Sequence, residues 1–284
     1  MVSQYFFSLD TLDINSTIID GGENSSVVTF SSGESLNSKL IGFTLTNGGG
    51  EWGGGINCDN SSPTLNHLKI ISNKAWRGGG GIYFKNSSAA VSNILIKDNE
   101  HTNQFPNYYE GGGGIYIYES DDIILDNIIL DNNSTHGKGG GMMFGYGSSP
   151  TIYNLIAKNN SAGAGGGVHS NGDDVPGPHP VLIGASIYGN SAENGGGAYA
   201  HEASITFIES KIYENSSSNN GGGYYGASAS YCYLDNVQIN NNSSLNEGGA
   251  IWKSYRGNLE VNNCTIDNNN SSVGGGIFCL LYTS

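Results

Sequence analysis

The chain has 284 residues and a mass of 29.8 kDa, with 45 Gly, 36 Asn and only 6 Pro. Eleven Lys plus Arg stand against 25 Asp plus Glu, a formal net charge of −14, and the only arginines are Arg77 and Arg256. So few cations cannot neutralise many phosphates, which excludes nucleic acid as a partner and disfavours anionic membrane surfaces. No apolar run reaches the ~18–20 residues of a membrane helix, the glycines follow no G-X-Y period, and regularly recurring Ile, Val, Leu, Phe and Tyr exclude disorder.

Taken from the N-terminus, MVSQYFFSLD lacks the basic and long apolar regions of a signal peptide. The expectation is that a signal was removed upstream or that the chain is a fragment. Residues 1–26 read as an N-terminal edge or truncated cap, 27–279 as a repeat array and 280–284 as a tail. Within the array a Gly-Gly-Gly or Gly-Gly-Ala segment precedes an apolar residue nine times, at Ile56, Ile82, Ile115, Met142, Val168, Ala198, Tyr224, Ile251 and Ile277. Six of the eight intervals are 26 or 27 residues, and a degenerate copy lies at Val27–Val28. A first Asn column recurs at Asn66, Asn93, Asn127, Asn154, Asn236 and Asn263, with Gly184 and Glu209 as exceptions. A second follows at Asn73, Asn99, Asn133, Asn160, Asn190, Asn215, Asn242 and Asn269.

Each apolar stretch is three to five residues long and alternates, which predicts strand rather than helix. A unit of this size cannot bury its own apolar face, so neighbours must stack at the ~4.8 Å spacing of paired strands. The expected fold is all-β, a parallel β-helix with one coil per repeat, about ten coils in all. The Asn columns mark turns, where Asn tolerates left-handed backbone and its amide bonds those above and below. The glycines give freedom or close approach at a corner. No Gly-Lys-Ser/Thr follows them, so a phosphate-binding loop is not signalled.

The unit I-x-x-N … G-G-G/A-I resembles the repeat of right-handed parallel β-helix proteins with pectate-lyase-like architecture. It is similar to the repeats of the polymorphic outer-membrane protein family, which pair F/I-x-x-N with G-G-A-I. TIIDGGENSSVVTF, IGFTLTNGGG and GGGINCDNSSPTL resemble β-helix regions of large secreted bacterial surface proteins. The resemblance covers about residues 17–279 and implies a single-stranded right-handed parallel β-helix. Such coils carry lyases, hydrolases, adhesins and phage tailspikes alike, so it implies no single activity.

After each glycine run the first residue is expected to point inward and the second outward. The outward set is Asn57, Tyr83, Tyr116, Met143, His169, Tyr199, Tyr225, Trp252 and Phe278. The third residue returns inward, where Lys253 is a misfit. Cys58, Cys232, Cys264 and Cys279 show no CxxC spacing and read as unpaired thiols; Cys58 and Cys279, eight coils apart, lie ~38 Å from each other. Flat amphipathic rings in a line suit stacking on sugar faces, and Tyr83, Tyr116, Tyr118, Tyr199, Tyr225 and Trp252 are the candidate saccharide contacts. The same rings are equally the ordinary furniture of strands.

Two insertions, EHTNQFPNYYE before Gly111 and SNGDDVPGPHP from Ser170, are expected to wall this face. Candidate catalytic residues are His169, Tyr116, His201, Asp173 and Asp174, with His or Tyr as a base and the paired aspartates as in a glycosidase. Glu119, Asp121 and Asp122 are candidate metal ligands, for which Ca²⁺ is the cofactor admitted. Neither arginine is expected near these residues. The function expected is an extracellular or cell-surface protein that binds polysaccharide or another surface partner through its aromatic face, without membrane insertion. A polysaccharide lyase or glycoside hydrolase on that face, or a structural stalk, are the alternatives.

Overall fold

The computed structural model describes residues 1–104, 110–172, 177–254 and 256–280. The chain winds into three parallel sheets, one of 16 strands, one of eight and one of ten. A single coil shows the pattern. Ala90–Lys97 crosses the 16-stranded sheet, Glu100–His101 adds to the eight-stranded sheet, and Ile115–Tyr118 adds to the ten-stranded sheet. Strands pair in parallel with their equivalents in the coils before and after, as Ile82–Lys85 does with Ile56–Asp59 and Ile115–Tyr118, and those in the end coils pair on one side. Parallel pairing begins at Val2, bridged to Ile41, and at Ile18–Asp20, paired with Thr44–Thr46. Between these lie two short helices, α1 (Tyr5–Ser8) and α2 (Leu12–Ser16), with Ile14 buried and its carbonyl accepting the Thr44 hydroxyl at 2.7 Å.

The interior follows from alternation. Ile56, Ile82, Ile115, Met142, Val168, Ala198, Tyr224 and Ile251 are fully buried, and only Ile277 in the last coil is exposed. The third-position residues Cys58, Phe84, Ile117, Phe144, Ser170 and Ala200 are buried beside them. Lys253 does point inward, with its ammonium donating to the Ser254 carbonyl at 3.3 Å and to the Arg256 carbonyl. Backbone acceptors thus satisfy the misfit, while burial lowers its pKa. All four cysteines are free, and burial pushes the Cys58 and Cys232 thiols up to about 11 and about 12, away from nucleophilic use.

The two Asn columns divide the work assigned to them jointly. The first takes the left-handed corner, at φ 53–56° for Asn93, Asn127, Asn154, Asn236 and Asn263. Its first member is His67, at φ 49°, not Asn66, which pairs with Ser92. The second column is the ladder, and the left-handed residue is the one before it, as at Asp98, Asn132 and Asn159. Each ladder amide donates to the next: Asn73 to Asn99, Asn99 to Asn133, and onward through Asn160, Asn190, Asn215 and Asn242 to Asn269, at 2.9–3.0 Å. The eight residues therefore form one unbroken column.

Glycine is compulsory beside the ladder for a specific reason. A Cβ on Gly166 would lie 2.5 Å from the Gly196 carbonyl oxygen and 2.6 Å from that of Ser191. Only glycine permits coils to approach this closely.

Replacing Asn190 with Ala leaves buried donors and acceptors without partners, and is expected to cost on the order of 1–3 kcal/mol in urea unfolding. Asn269→Ala, at the ladder's end, should cost distinctly less because stability in stacked repeats is nearest-neighbour.

Candidate functional site

The outward column on the ten-stranded sheet runs in one line, as its pairings require, but it is not an open face. Tyr116, Met143 and His169 are at most 1% exposed, Tyr83 and Trp252 are also buried, and Tyr199 and Tyr225 are half-buried. The cause is the rings themselves. His169 stacks on Tyr199 at 4.6 Å, Tyr199 on Tyr225 at 4.9 Å and Tyr225 on Trp252 at 4.2 Å, so both faces of Tyr199 and Tyr225 are already covered. Trp252 also donates its indole N–H to Glu247 at 2.9 Å. This corrects the expected periodic stacking of a sugar on every ring: in the His169–Trp252 stretch only ring edges remain.

Met143 separates that stack from a second aromatic group, and there the geometry opens. Trp52, Asn57, Asp59, Arg77, Tyr83, Lys85, Glu110, Tyr116 and Tyr118 line a cleft of about 360 Å³. Three successive strands supply its floor, through the columns Asn57–Tyr83–Tyr116 and Asp59–Lys85–Tyr118. Trp52 stacks on Tyr83 at 4.6 Å, Tyr83 tilts against Tyr116 at 5.4 Å, and Tyr118 meets Tyr116 edge-on at 6.0 Å. Trp52 and Tyr118 are half-buried, as Tyr199 and Tyr225 are, and bring part of their ring surface to the cleft. Trp52 is placed by a shift of register where Gly49–Trp52 pairs with Lys74–Gly78, an irregularity that re-aims a side chain.

The cleft carries charges of both signs, Arg77 and Lys85 with Asp59 and Glu110. Arg77 is held by Glu51, Nε to Oε1 at 2.6 Å, and its guanidinium lies 5.9 Å from the Trp52 ring centroid. Lys85 has no ion-pair partner among the described residues. Glu110, buried at 3% exposure, accepts from the Asn103 amide at 2.6 Å. Burial raises the Tyr83 phenol well above its ordinary value, with Asp59 adding to the effect, so Tyr83 is a hydrogen-bonding group and a poor base.

Of the expected saccharide contacts, Tyr83, Tyr116 and Tyr118 meet in the cleft, whereas Tyr199, Tyr225 and Trp252 belong to the other stack. Arg77 lines the cleft, against the expectation that neither arginine lies near. His169 is enclosed, its Nδ1 3.3 Å from the Ala164 carbonyl, and burial, then Lys138, lower its pKa well below the ordinary value. It therefore does not face solvent as expected. His201 meets the Ser228 hydroxyl at 3.3 Å. Asp173 and Asp174 lie outside the described residues, as does 105–109 of the first insertion. Among the described residues, which include Glu119, Asp121 and Asp122, no group of three or more His, Cys, Asp or Glu side chains is arranged to hold a metal ion.

Trp52, Asp59, Lys85 and Glu110 were not anticipated. Lys85 had a signal, since it occupies the fourth position after its glycine run, as Tyr118 does after its own. Glu110 is the last residue of the first insertion, directly before the glycines.

The family model for the right-handed β-helix region matches residues 54–175, a span that contains most of the cleft. By fold the chain is a single-stranded right-handed parallel β-helix, and its architecture is consistent with the pectate-lyase-like type. Neither a curated protein nor a solved structure matches it. Among the described residues no helix is long and apolar enough to cross a membrane.

Glu110 also acts on a buried neighbour. His101 is fully buried, with Nδ1 2.7 Å from the Thr135 hydroxyl; burial lowers its pKa from 6.5 to about 4, partly opposed by Glu110. A lowered folded-state value means the unfolded chain binds the proton more readily. Stability should hold above about pH 6.5 and fall between about 6.5 and 4, by at most ~1.4 kcal/mol per pH unit. His101→Gln should flatten that segment of the pH–stability curve measured by denaturant unfolding.

Proposed function

We propose that this β-helix protein binds polysaccharide at the cleft between Trp52 and Tyr118. The observation that carries the reading is a hollow of saccharide size in which half-buried rings stand beside both cations and carboxylates. Amphipathic rings stack on sugar faces, while Asn57, Asp59, Lys85, Arg77 and Glu110 offer partners to hydroxyl or carboxyl groups along the chain. The cations matter because the net charge of −14 repels an acidic glycan elsewhere on the surface. Such a partner implies an extracellular or cell-surface location, which protection of the protein from externally added protease would test in reverse.

Two carboxylates in one cleft, Asp59 and Glu110, favour a second reading, hydrolysis of the bound chain by an acid–base pair. A lyase acting here would take Arg77 or Lys85 to neutralise a uronate carboxylate and Tyr116 as its candidate base, Tyr83 being the poorer choice because burial raises its phenol.

Affinity electrophoresis through gels containing polygalacturonate, alginate, xylan or β-1,4-glucan tests binding. At least one polymer should retard the protein, and Tyr118→Ala with Lys85→Ala should reduce that retardation at least tenfold without lowering the unfolding midpoint. Retardation by none would leave the stalk reading. Release of reducing ends or of unsaturated product, lost in Glu110→Gln, would move the assignment to an enzyme.

A further inference from the structure

Trp76 is the aromatic residue of this region that the cleft does not use. It lies on Lys74–Gly78 of the eight-stranded sheet, is 52% exposed, and has the Arg77 guanidinium 5.3 Å from its ring centroid. Arg77 therefore stands between two indoles, Trp52 on the cleft side and Trp76 on the other. Trp76 in turn walls a second hollow of about 230 Å³, with Glu23, Asn47, Ser72, Lys74 and Thr102. The two hollows share no lining residue; the series Trp52–Arg77–Trp76 joins them.

We infer that Trp76 forms a second saccharide subsite, so that a bound glycan crosses the corner between the eight- and ten-stranded sheets instead of following the stack of coils. The inference rests on the cleft reading and gives that site its direction. An exposed indole fixed in a strand, with a cation against its ring, is a rigid stacking surface that loses little entropy on binding. The hydroxyl, amide and charged groups around it suit sugar hydroxyls. The axial route offers nothing equivalent. Beyond Tyr116 the column continues with buried Met143 and then with rings whose faces are taken up by one another. Along the corner, each step leads to another ring or cation.

Isothermal titration with trisaccharides and octasaccharides of α-1,4-galacturonate and of β-1,4-glucose tests this. A trisaccharide bound over Trp52 and Tyr118 occupies the cleft, whereas an octasaccharide has the length to continue over Trp76 as well. Trp76→Ala should weaken octasaccharide binding about tenfold and leave the trisaccharide unchanged, and Trp76→Phe should restore part of the loss. If Trp76→Ala leaves the octasaccharide unaffected, or weakens both lengths equally, the subsite is wrong; the cleft reading survives provided Tyr118→Ala with Lys85→Ala weakens both lengths. If neither length of either series binds the parent protein, the subsite and the cleft reading fall together.

Discussion

One amide-to-amide hydrogen bond, repeated coil after coil, sets the terms for the rest of the molecule. Asn133 shows why no other side chain serves. Its carbonyl oxygen accepts from both the backbone N–H and the side-chain amide of Asn99, while its own Nδ2 donates to Asn160 and to the Ile96 carbonyl. Aspartate lacks the donors, alanine lacks everything, and a buried polar group left unpaired is costly. The glycine runs depend on the same device. A Cβ on Gly141 would come within 3.1 Å of the Asn160 amide, so the ladder and the glycines are two halves of one joint.

That joint fixes the stacking distance, and the stacking distance determines what aromatic residues can do. From His169 to Trp252, rings repeated at one strand position come to rest at 4.2–4.9 Å, which is stacking contact. A regular aromatic column consequently satisfies itself and presents little to a partner. The cleft forms where regularity fails: at Asn57 and Met143, which bound the first group of rings, at the irregular pairing before Trp52, and at the insertion ending in Glu110. The candidate site is a product of the exceptions to the repeat.

This explains what could be read from the residues and what could not. Alternation and period suffice for the interior columns and for the ladder, since both are properties of position within a coil. The one slip there, Asn66 in place of His67, came from a coil whose spacing differs by a residue. Whether Tyr199 has a free face is not a property of its own position, because it depends on His169 below and Tyr225 above. The approach of Arg77 to Tyr116 was hidden for a related reason. They lie in different sheets, 39 residues apart along a stretch that includes an insertion, and only three-dimensional winding brings them to one corner.

The stack from His169 to Trp252 has an optical consequence. Tyr199, Tyr225 and Trp252 are chromophores held in nearly parallel planes, with interplanar angles of 22° and 8°. Transition dipoles at such short range couple, and their sense of rotation from one ring to the next follows the twist of the sheet that carries them. The stack therefore contributes to the near-ultraviolet circular dichroism of the protein, alongside the Trp52–Tyr83 and Tyr188–Tyr213 pairs, and the emission of Trp252 is sensitive to the Tyr225 ring against it.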